Sequence, residues 1–142
     1  MKAEEKLKHL YQKVILGHSK QPYHYQKMDE ADYIIEAYNP LCGDKFKLFL
    51  KMKEGTIQTA SFSGYGCAIS KASTSILVQR LEGLKLADIA ALRQQFKAVA
   101  LGDKSSEDEE FEAFSTAKEF PGRANCVSLS WDSLEEWLLE LK

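Results

Sequence analysis

Residues 45–53 constrain the fold more than any other stretch of the chain. Phe46, Leu48, Leu50 and Met52 alternate with Lys45, Lys47, Lys51 and Lys53, and Phe49 is the exception. A period of two sends successive side chains to opposite faces of a strand, so this segment reads as half-buried with a solvated basic face. Glu54-Gly55 is a tight-turn signal, and residues 56–62 read as the returning strand. Upstream, residues 32–38 carry Tyr33, Ile34, Ile35 and Tyr38 before Asn39-Pro40 breaks the run. The three segments form an antiparallel meander.

Helical periodicity surrounds the meander. In residues 3–16, Leu7, Leu10, Tyr11 and Val14 share a face, and Gly17 is a stop signal. Residues 18–30 are polar and irregular and read as a surface loop. A helix is expected from near Cys67 to about Leu81, with Gly83 as its cap. A second spans residues 86–101. Ser106 with Glu109 resembles a capping box for a short helix bearing Phe111 and Phe114, and Pro121-Gly122 ends that insertion. Residues 127–141 are amphipathic, with Leu134, Trp137, Leu138 and Leu141 on one stripe. The expected fold is α+β, a three-stranded antiparallel sheet with helices packed on one face. With 142 residues, 44% hydrophobic and 28% charged, one domain over residues 1–142 is expected.

The formal net charge of −2 argues against a nucleic-acid partner, which needs a clear basic excess. No apolar run is long enough to cross a bilayer, and no secretory leader is visible, so the expected location is the cytoplasm without a membrane partner. The acidic run of residues 107–110 reads as a solvated surface. His9, His18 and His24 read as surface or partly packed residues. Trp131 and Trp137 read as core or interface residues, with periodicity favouring core.

The three cysteines are an odd count, which forms no closed disulfide framework. Cys42 follows the Asn39-Pro40 break, Cys67 follows a glycine-rich turn, and Cys126 precedes the last helix. All three stand at element ends, where binding chemistry concentrates. Asp44 is two residues beyond Cys42, and in an extended chain the two side chains point the same way. Three sulfurs and one oxygen suit tetrahedral Zn²⁺, so Cys42, Asp44, Cys67 and Cys126 are the candidate metal ligands. Such a shell is anionic, and Arg123 is placed to offset some of that charge. The same thiols are candidate nucleophiles, since a helix N-terminus lowers a thiol pKa.

Three stretches carry a family resemblance. Asn39-Pro40-Leu41-Cys42-Gly43-Asp44, Gly64-Tyr65-Gly66-Cys67-Ala68-Ile69-Ser70 and Arg123-Ala124-Asn125-Cys126 resemble, in order, the cysteine motifs of the iron–sulfur assembly family containing IscU, SufU and the N-terminal domain of NifU. Asn125 replaces the histidine of IscU-type proteins. Phe120-Pro121-Gly122-Arg123 stands where those proteins carry a Leu-Pro-Pro-Val-Lys motif, and residues 102–119 look like the SufU-type insertion. Tyr65 departs from an acidic residue often seen in the family's turn. The resemblance implies a SufU-type protein with a SufE/NifU-like fold that binds zinc through Cys42, Asp44, Cys67 and Cys126. It implies a zinc-dependent, sulfurtransferase-like role beside a SufS-type cysteine desulfurase, with Cys42 taking the persulfide after a desulfurase histidine replaces it on zinc. Downstream SUF assembly proteins and apo iron–sulfur proteins are the implied recipients. Two alternatives stay open: a scaffold holding a transient Fe–S cluster on the same residues, and a closed structural zinc module.

Overall fold

A computed structural model describes residues 3–40, 43–102, 104–115 and 124–141. The chain opens with α1 (Ala3–Leu10), a π-helical stretch (Tyr11–Leu16) and α2 (Gly17–Lys20). Strands β1 (Tyr33–Asn39), β2 (Asp44–Lys53) and β3 (Thr56–Tyr65) follow. Next come α3 (Ala68–Leu81), a 3₁₀ turn (Leu86–Asp88), α4 (Ile89–Ala100), α5 (Glu109–Glu112) and α6 (Ala124–Glu140). No helix among the described residues is long and apolar enough to cross a membrane.

The sheet is the antiparallel meander β1-β2-β3. Its register pairs Asn39 with Asp44 and Lys45 with Tyr65, which brings the β1–β2 connection and the start of the β3–α3 turn to one end. Phe46, Leu48 and Leu50 are buried, with Ile35 and Ala37 of β1 and Ile57, Ala60 and Phe62 of β3. Helix α3 packs on β3, and α6 packs on β1 and on α3. Phe49 faces the other way yet is only 5% exposed, in register with Ile34 and Ser61. The outer face is therefore not purely solvated.

Two local expectations fail for physical reasons. Gly17 does not stop the first helix, because it is itself helical (φ −60, ψ −51). Glycine in a helix costs only about 1 kcal/mol, and tertiary contacts offset it. Val14 and Ile15 are buried just before it, and His18 just after it bonds Ser75 Oγ at 2.7 Å and Glu110 at 2.8 Å. Gly83 (φ +92) stands just past the end of α3 as expected, and the Leu84 N–H returns across it to the Leu81 carbonyl at 3.0 Å. The Gly83 N–H donates to the Ile57 carbonyl, while Ile57 N–H donates to Leu84 and Ala60 N–H to the Glu82 carboxylate. The end of α3 is spent on covering the edge of β3, which blunts an otherwise open pairing edge.

The cap of α5 is Asp108, not Ser106. Its carboxylate accepts the N–H groups of Glu110 and Phe111. Arg80 fixes that carboxylate with two bonds of 2.8 and 2.9 Å, whereas Ser106 Oγ only accepts the Asp108 N–H. Phe111 and Phe114 then pack around Phe96, which stacks on Trp131 at 4.0 Å.

Glu110 is bonded by His18 and Arg80, and these partners, His18 first, hold its carboxyl down at about 2. A depressed carboxyl adds stability above its unfolded pKa and loses it as pH falls through the folded value. Glu110→Gln is expected to cost about 2 kcal/mol near neutral pH. The difference from the parent should shrink between about pH 4.5 and about 2, as measured by urea unfolding at several pH values.

Candidate metal centre

Asp44 is the first residue of β2 and shares the core face with Phe46. The Cys42–Asp44 reasoning assumed an extended chain, but the intervening Gly43 is left-handed (φ +77). Asp44 turns inward with Phe46 and Leu48 of the same strand face, with 3% of its surface exposed. Its Oδ1 accepts the Cys67 N–H at 3.1 Å. Cys67 is the N-cap of α3, with its sulfur accepting the Ser70 N–H at 3.5 Å and lying 3.5 Å from Ser70 Oγ. Cys126 lies inside the first described turn of α6 rather than before it, and it is buried. Asn125 beside it is exposed.

The structure brings Asp44, Cys67 and Cys126 together, with one ligand atom from each within 4.8 Å of the others. Among the described residues this is the one such group of three or more. Cys42 and Arg123 lie outside the described residues. His9 is exposed, His18 is engaged by Ser75 and Glu110, and His24 bonds the Ala60 carbonyl. None of the histidines belongs to the group.

Two observations test whether the group suits a metal. Among the described residues, Asp44 Oδ2 is buried and has no hydrogen-bond partner, although its sister oxygen has one. A buried carboxylate oxygen left unpaired costs about 1–3 kcal/mol, and a cation beside it removes that cost. The second is donor chemistry. Two sulfurs and a carboxylate oxygen suit zinc, whose tetrahedral ligands stand about 3–4 Å apart, within reach of small side-chain rotations here. Burial opposes ionisation of Cys67, but bonds from the Ser70 hydroxyl and N–H and from Cys126 outweigh it, so the thiol pKa is lowered. The described donors are more enclosed than their places at element ends suggested, since only Cys67 is half-exposed.

The sequence matches the NifU-like N-terminal domain family over residues 10–126. The chain belongs to this family. It is 34% identical over 137 residues to the iron–sulfur cluster assembly scaffold protein IscU of Streptococcus pyogenes serotype M1, covering 94% of this chain and 86% of that one. It is 32% identical over 130 residues to the zinc-dependent sulfurtransferase SufU of Bacillus subtilis strain 168, covering 89% and 88%. A SUF-system iron–sulfur scaffold protein of Fervidobacterium islandicum AW-1 superposes with a TM-score of 0.80 at 28% identity, over 92% of this chain and 97% of that one. This NifU-like chain is thus a SufU-type member of an iron–sulfur cluster assembly family.

Sequence reasoning did not single out Ser70 as a partner of the Cys67 sulfur. The signal was available: Ser70 stands three residues into a helix whose N-cap is the thiol, the usual reach of a capping bond.

Proposed function

We propose that this chain is a zinc-binding sulfur acceptor serving a cysteine desulfurase. Asp44, Cys67 and Cys126 hold the metal together with Cys42, and Cys42 receives the sulfur. The observation that carries the reading is the unpartnered Asp44 Oδ2 beside two thiols. When bound, zinc supplies a charge that keeps its thiols ionised at neutral pH. Transfer itself is an exchange with no net redox change. The Cys42 thiolate attacks the outer sulfur of the desulfurase persulfide, a new S–S bond forms, the old one breaks, and the desulfurase thiolate leaves.

The surroundings fit a partner that docks at this end. Tyr38 and Tyr65 are 56% and 63% exposed and lie either side of Lys45 in register. Exposed tyrosines are frequent anchors of protein contacts. Cys67 and Cys126 carry no disulfide, which suits a reducing cytoplasm. Later recipients are SUF assembly proteins and apo iron–sulfur proteins.

A second reading, transient Fe–S assembly on the same residues, draws on the scaffold name of the streptococcal relative. One experiment separates the two. Protein incubated with a SufS-type desulfurase and cysteine is mapped by mass spectrometry, and its metal is measured. Sulfur transfer predicts one extra sulfur on Cys42, with zinc retained. Sulfur appearing on no cysteine, while iron and sulfide accumulate together, would reverse the order of the two readings.

A further inference from the structure

The two described thiols come from different helices, so something must fix the height of α6 against α3. The interface between these helices is unusual for a core. Ser73 and Thr74 of α3 are 1% exposed, and Ser130 of α6, which meets Thr74, is also buried. Small hydroxyl side chains let the helices approach closely, but each buried hydroxyl needs a partner.

Their bonds have a forced direction. The Trp131 indole N–H only donates, and it meets Ser73 Oγ at 2.9 Å. Ser73 therefore accepts there and sends its one proton to the Val127 carbonyl at 2.5 Å. Val127 directly follows Cys126. Ser73 lies six residues beyond Cys67, on the helix which that thiol caps. Thr74 donates to the Ser70 carbonyl at 2.8 Å, so Ser130 donates to Thr74 at 2.7 Å. This second link joins the same helices without touching residues 126–127.

We propose that Ser73 is the positioning residue of the metal centre: its bond to the Val127 carbonyl sets Cys126 opposite Cys67. Trp131 aims that bond by occupying the hydroxyl's acceptor side. The inference rests on the metal reading above. Ser130 provides an internal comparison, because its loss removes a hydroxyl from the same seam but leaves the Val127 carbonyl tied to Ser73.

The test uses Co²⁺ alone as the probe, followed by Zn²⁺ competition against a chelator, on the full chain. Ser73→Ala is expected to lower affinity about tenfold, the lower end of what metal-supporting residues cost, and to shift the sulfur-to-cobalt absorption bands. Ser130→Ala, at similar stability in urea, should stay within about threefold of the parent with unchanged bands. Should Ser73→Ala fail to fold, Trp131→Phe takes its place: it removes the indole donor together with part of a buried ring and leaves Ser73 free to turn, so its stability in urea is measured beside its metal affinity and bands. Equal losses in the Ser73 and Ser130 variants, or parental affinity and bands in the Ser73 variant, overturn the assignment. A parent chain that takes up neither metal overturns the metal reading itself, a distinguishable result.

Discussion

An Asp44→Asn variant is expected to lose about a hundredfold in zinc affinity while its metal-free form stays as stable as the parent or gains stability. The two effects have different origins. Oδ1 holds the Cys67 N–H, and an asparagine carbonyl does the same. Oδ2 is buried with no partner among the described residues, so its charge is a liability until a cation arrives. Replacing that oxygen with a neutral amide removes the liability and the metal ligand together. Asp44→Ala differs, since it also orphans the Cys67 N–H and should lower stability by about 1–3 kcal/mol. Urea unfolding in chelator and zinc competition report the two quantities separately. If Asp44→Asn lost stability and kept its zinc affinity, Asp44 would be a structural cap and not a ligand.

The sheet was legible because a two-residue period survives in a strand buried on one face: β2 begins within one residue of its expected start and ends where alternation placed it. Burial of Phe49 was not legible, because nothing in a local pattern reports what covers the second face. The last helix was foreseen from its apolar stripe, but its start was placed late. Ala124 and Asn125 carry no apolar signal, so a helix that begins there looks like loop. That misplacement matters for the site, because it moves Cys126 from a connecting segment into a buried first turn.

The candidate metal centre was legible in part. Residue types and order pointed to Cys42, Asp44, Cys67 and Cys126; the structure brings the last three together, and Cys42 lies outside the described residues. The inward side of Asp44 follows from the same two-residue period that buries Phe46 and Leu48. The hydroxyls of α3 were hidden. Serine and threonine in a helical stretch read as neutral surface, and only the partners on α6 reveal them as buried.

Gly64→Ala is expected to be the most damaging added methyl group in the described chain, at about 4 kcal/mol or more, lowering the melting temperature by about 10–15 °C. Gly64 has φ +128, which side chains other than hydrogen rarely tolerate. Its new Cβ would stand 2.1 Å from the Lys45 carbonyl oxygen and 2.8 Å from the Phe46 Cα. Both are backbone of the paired strand, so relief requires β2 and β3 to part where Phe46 faces Gly64. Gly66→Ala provides the contrast two residues on. There the Cβ would meet side chains: Ser70 Oγ at 2.6 Å, Phe46 Cζ at 2.8 Å and Asp44 Oδ1 at 2.9 Å. Side chains rotate at smaller cost, about 1–3 kcal/mol, but two of these hold Cys67. Gly66→Ala should therefore unfold less readily than Gly64→Ala yet bind zinc about tenfold more weakly than the parent, read by calorimetry and metal competition on the same samples. Parental zinc affinity in Gly66→Ala would mean that Asp44 and Ser70 move freely without consequence, and the tight packing around Cys67 would then have no role in holding metal.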